Sequence, residues 1–136
     1  SRKGIGIEIS GFFLGEEGNP KTRPGGPAEW QVNSITPEQV TAVRSLIRYL
    51  CRLVAFHGGK ITGIFPHRVA CDSRTFDPGS LAWQQVGIFM RDELGLTDGG
   101  PGYIVKGSEG EPIPDCWSGR PDGIPLIGSR KKLGLK

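Results

Sequence analysis

The stretch from Thr36 to Gly59 constrains this chain most, because it carries both ends of a helix and a face to bury. Thr36 is a good N-cap, Pro37 suits the first helical position, and Gln39 completes a capping box with Thr36. Val40, Val43, Ile47, Leu50 and Val54 follow at steps of three and four, one stripe that faces a core. Arg44, Arg48 and Arg52 form a ridge on another face, read as solvated. Gly58 and Gly59 stop the helix, and His57 sits in its last turn, where the helix dipole favours a cation.

With 136 residues the natural reading is one domain, large enough for a real core. The 22 glycines, 11 prolines and apolar fraction of 36% make it loop-rich. Before the helix, Ile5, Ile7 and Ile9 alternate with Gly6, Glu8 and Ser10, the period-2 signature of a strand with one buried face. Glu8 then lies on the opposite face. Gly11 to Asn33 reads as a long loop anchored by Trp30. After the helix, "KITGIF" reads as a short buried strand running into His67. A second helix spans roughly Ser80 to Leu94, with Leu81, Val86, Phe89 and Met90 on its apolar side. The fold class expected is therefore α/β, a mixed central sheet flanked by helices. Residues 97–136 hold nine glycines and five prolines and form a separate Gly/Pro-rich extension, either wrapped on the domain or a linker.

Charge and cysteine content exclude several function classes. The net charge of +3 is more than accounted for by Arg130, Lys131, Lys132 and Lys136, and no basic face is interleaved with aromatics. Nucleic acid is therefore not the expected partner, while an anionic wall polymer stays open. Cys51, Cys71 and Cys116 are an odd count at wide spacing with no CxxC pair, a poor disulfide framework and a poor zinc-finger pattern. Free thiols suit it best. No apolar run approaches the roughly 20 residues of a membrane span, and no signal peptide opens the chain, so its compartment stays open.

The segment "FPHRVACDSRTFDPG", Phe65 to Gly79, puts His67 and Asp77 ten positions apart and closes on Asp-Pro-Gly. A lone strand-end histidine is ordinarily just hydrogen-bonded, and a lone Asp-Pro-Gly is ordinarily just a turn. Here they follow a Glu on an "IGIEI" segment, with Thr75 two residues before Asp77.

In that order, "KGIGIEISG", the helix from Pro37, "GIFPHRVACDSRTFDPG" and "SLAWQQVGIFM" resemble the zinc-dependent N-acetylmuramoyl-L-alanine amidases of type 2. That superfamily includes phage lysozyme-amidases, bacterial anhydromuropeptide amidases and animal peptidoglycan-recognition proteins. Its pattern is an S-I-G-I-E strand, a helix, a strand ending in G-H-R/S-D, and a T/K-x-D/C-P-G turn before a last helix. The match covers about residues 4 to 95.

The resemblance implies the family's sheet and a zinc held by His67, in the place of the second family ligand, and by Asp77, in the place of the third. It implies that Glu8 acts on the zinc-bound water and that Thr75 lies near the developing oxyanion. Arg74, one step from that place, is a candidate for binding a substrate carboxylate. Pro66 departs from the usual Gly before the ligand and fixes its own backbone. A catalytic zinc takes three protein ligands and leaves a fourth position for water. The family's first ligand is a histidine on a strand well before the S-I-G-I-E strand, and only three residues precede Gly4. Either a separate N-terminal polypeptide supplies it, or the chain is a piece of a longer protein, or His57 substitutes. The separate polypeptide is the expectation.

The expected activity is zinc-dependent hydrolysis of the amide between N-acetylmuramic acid and L-alanine of the peptidoglycan stem, acting on bacterial wall or muropeptides. The alternatives are a binding module that holds muropeptides without cleaving them, and a structural subunit of a wall-associated assembly.

Overall fold

Thr36 begins the structure's main helix as its side chain predicts. In the computed structural model, which describes residues 4–11 and 35–118, α1 spans Pro37–Phe56. The Thr36 hydroxyl accepts from the Gln39 N–H at 3.1 Å, and the Thr36 N–H donates to Gln39 Oε1 at 3.0 Å. His57 closes the helix, exposed to solvent.

The second helical region is one continuous run in three pieces: α2 (Ser80–Ala82), a π-helical turn (Trp83–Ile88) and α3 (Phe89–Leu94). Within the π turn the Trp83 ring lies against Gly87. A Cβ there would stand 2.1 Å from that ring. The run packs on α1 through Val40, Ile47, Leu81, Ala82, Val86 and Met90, with Ile35 at the base. Of the expected α1 stripe, Val40, Val43 and Ile47 join this cluster while Leu50 and Val54 do not; of the second helix's expected side, Leu81, Val86, Phe89 and Met90 all join it.

The arginine ridge is solvated only in part. Arg44 is buried, and its Nε and Nη2 donate to the Gln85 carbonyl at 2.9 and 2.7 Å while its guanidinium lies 3.5 Å from the Phe89 ring centre. Desolvation, and then the charge of Arg48, lower its pKa from the ordinary arginine value. Arg48 makes a two-pronged pair with Glu93 at 2.6 Å on each arm, which holds the Glu93 carboxyl below its usual range. Arg52 also stays at the surface, donating to the Arg48 carbonyl at 3.4 Å. Helical spacing shows which residues share a face, but not that a carbonyl 41 positions away faces it.

The mixed α/β sheet is not present among the described residues, which contain helices and turns and no strand. Gly4–Ser10 has strand-like alternation without a hydrogen-bonded neighbour strand. Ile9 packs against the core, but Ile5 and Ile7 are exposed, and Gln39 Nε2 donates to the Ser10 carbonyl at 2.7 Å. "KITGIF" makes a single parallel bridge, Gly63 to Thr97, and Ile64 alone joins the core edge. The reason is that alternation sets which side chains share a face, while a strand also needs a partner for its backbone groups. The expected loop anchor, Trp30, lies outside the described residues, as do residues 12–34 and 119–136.

From Thr97 to Ser118 the chain wraps the body, with Trp117 fully buried at its end. Cys51 and Cys71 are free thiols. Among the described residues no helix is long and apolar enough to cross a membrane.

Candidate metal centre

Pro66 settles the entry to the loop. Its backbone is extended, φ −71° and ψ 150°, and it starts a 3₁₀ turn over His67–Ala70. Cys71 extends the chain again, a second 3₁₀ turn covers Asp72–Arg74, and Thr75 turns it back. Backbone hydrogen bonds then close the loop on itself. The Arg68 N–H donates to the Asp77 carbonyl at 3.1 Å, and the Asp77 N–H donates to the Arg74 carbonyl at 3.0 Å.

The result is that His67 Nδ1 and Asp77 Oδ2 stand 3.2 Å apart. Both side chains are about half exposed, 53% and 42%, so solvent or a ligand reaches them. As they stand, the pair is hydrogen-bonded when Nδ1 carries the proton. The donor set also fits zinc. Ligand bonds of about 2.0–2.2 Å in a tetrahedral arrangement place neighbouring N and O donors roughly 3.3–3.5 Å apart, close to the spacing seen.

No protein-family model, curated protein or solved structure matches the chain. Assignment of the pair therefore rests on its own chemistry.

Of the other sequence candidates, Thr75 sits two residues before Asp77, half-buried, with its carbonyl accepting from Arg68 Nη1. Arg74 is exposed on the same loop. Glu8 is exposed on the separate segment 4–11, and His57 is exposed at the end of α1 beside the Phe56 ring. Neither joins the pair, since no group of three or more His, Cys, Asp or Glu side chains gathers among the described residues. Two ligands are one fewer than a catalytic zinc takes from protein.

Sequence reasoning missed Arg68. It is buried directly beside His67, and its guanidinium reaches the Thr75 carbonyl, the Pro112 carbonyl and the Glu111 carboxylate, the last at 2.9 Å. The only signal was its place after the histidine in "PHR", which says nothing of burial.

Proposed function

We propose that this chain carries part of a zinc-dependent amidase centre that cleaves the bond between N-acetylmuramic acid and L-alanine in peptidoglycan or muropeptides. The observation that carries this reading is the convergence of His67 and Asp77, ten residues apart, at 3.2 Å on an exposed loop. The order of segments that resembles type 2 amidases supports it further. His67 and Asp77 would hold the metal, and a third protein ligand would come from outside the described residues. A histidine on a separate polypeptide would supply it. When bound in such a site, zinc supplies a water whose pKa falls to about 7.

The remaining chemistry falls to the chain's own side chains. Glu8 stands apart from the pair in this structure, so segment 4–11 would first have to be brought to it. The Glu8 carboxylate then takes a proton from water as the water oxygen bonds to the lactyl carbonyl carbon, and returns it to the departing amine as the C–N bond breaks and the stem peptide leaves. The Thr75 hydroxyl donates to the carbonyl oxygen as charge develops there. Arg74, exposed and cationic, binds a carboxylate of the stem peptide.

The test is turnover of a muramoyl-L-alanyl peptide by the full protein with any polypeptide that copurifies. Glu8→Gln should keep the zinc content and lose about 10²- to 10⁴-fold in rate. An unchanged rate removes Glu8 from the chemistry, and a parent that binds the peptide without cleaving it is a binding module.

A further inference from the structure

Within the His67–Asp77 loop Val69 is fully buried, while the rest of the loop's apolar surface is largely open to solvent. Phe65 and Phe76 beside it are exposed, as are Asp72, Ser73 and Arg74. What lies against it is the segment 103–118. Tyr103 stacks on Phe65 with ring centres 5.2 Å apart. The Val105 N–H and the Ser108 hydroxyl both donate to the Val69 carbonyl, at 2.9 and 3.1 Å, and the Glu111 N–H donates to the Arg68 carbonyl at 3.0 Å. At Gly110 the approach is so close that a Cβ would stand 2.2 Å from the Val69 carbonyl carbon and oxygen. Gln84 Nε2 donates to the Trp117 carbonyl at 3.4 Å, tying the segment's end to the helical run.

Arg68 joins these parts. One arm of its guanidinium donates to the Thr75 carbonyl, two residues before Asp77. The others donate to Pro112 and Glu111 on the wrapping segment, and Trp117 lies beside it at 5.7 Å. A planar fork with five N–H donors can serve three acceptors in three directions, which an ammonium on a flexible stem does not reproduce.

We infer that residues 103–118 are a strap belonging to the metal-binding unit, and that Arg68 is its positioning residue, setting His67 against Asp77. The functional meaning of this rests on the zinc reading above, but the geometry it describes does not. Arg68 holds both ends of the ligand loop, through its backbone N–H to Asp77 and its side chain to Thr75. Its Nε and Nη2 bonds go to Pro112 and Glu111 on the strap. Losing the fork therefore releases the ligand pair.

The chain has two histidines, so imidazole ¹⁵N spectra give His67 with His57 as an internal reference. The experiment compares the full protein with Arg68→Lys, Gly110→Ala and Glu111→Gln, without metal and at one fixed pH, and then titrates zinc. Arg68→Lys and Gly110→Ala should melt cooperatively and leave the His57 signals unchanged. Their His67 signals should move from the pattern of an Nδ1–H held by a carboxylate toward that of a free imidazole. Their zinc affinity should fall about 10- to 100-fold, as on removal of groups that orient ligands. Glu111→Gln keeps an acceptor and should shift both readouts less. Folded variants with parental His67 signals and parental zinc affinity overturn the inference. If Arg68→Lys does not fold, Gly110→Ala decides by the same readouts. A parent that binds no zinc, with His67 signals that still respond to Arg68→Lys, sinks the amidase reading and upholds the positioning role.

Discussion

Around Val40, Ile47, Val86 and Met90 the chain is held by apolar contact between two helical regions, whereas around His67 and Asp77 the buried Val69 is joined by a network of hydrogen bonds and one buried guanidinium. Apolar contact is non-directional and tolerant, so the helical core can keep its fold through modest changes of shape. Hydrogen bonds are directional and fail sharply when one donor moves. A loop built on them can hold two side chains at a set spacing and still leave them half open to solvent. That is the property a ligand-binding pair needs and a packed core cannot give.

The comparison predicts that damage to one region reads out differently from damage to the other. The largest stability effect belongs to the core. Met90 is fully buried, and Met90→Ala should cost about 2–5 kcal/mol in urea denaturation. The His67–Asp77 pair should keep its parental imidazole signals in whatever fraction stays folded. A core variant that remains folded yet loses the pair would break the division between the regions.

The smallest effect belongs to the rim of the core, where Arg48 and Glu93 meet in solvent. The Arg48 hydrogen bonds hold the Glu93 carboxyl below its ordinary value of 4.5. A carboxylate depressed on folding stabilises above its unfolded value, and that stability fades as pH falls below about 4.5 through the folded-state value. Glu93→Gln should therefore cost about 0.2–1 kcal/mol at pH 7 and converge on the parent in acid. A difference between the two that grows as the pH falls contradicts the pair's assignment.

What was legible in the sequence follows the same division. Helix α1 could be read because its signals are local: a Thr, a Pro and a Gln within four positions, and a stripe that needs only 3.6-residue geometry. The His67–Asp77 pair was named through the resemblance to the amidase pattern, and ten positions of chain with two 3₁₀ turns suffice to bring the side chains together. The sheet failed at the step where a strand needs a partner, since the alternation of Ile5, Ile7 and Ile9 does not name one. Arg44 and Arg68 failed for the same reason. Their acceptors lie 41 and 44 residues away, at Gln85 and Pro112, and no spacing rule links an arginine to a distant carbonyl.

The central claim is that His67 and Asp77 act as one metal-binding pair, and competition of the full protein with a chromophoric zinc chelator tests it most directly. The account predicts that the parent holds zinc, and that His67→Ala and Asp77→Ala each lower its affinity by more than about 100-fold, beyond the roughly 10- to 100-fold expected of Arg68→Lys. The double variant should lose less than the product of the two single losses, because ligands of one ion are coupled. A His67→Ala protein that holds zinc as tightly as the parent would contradict the account.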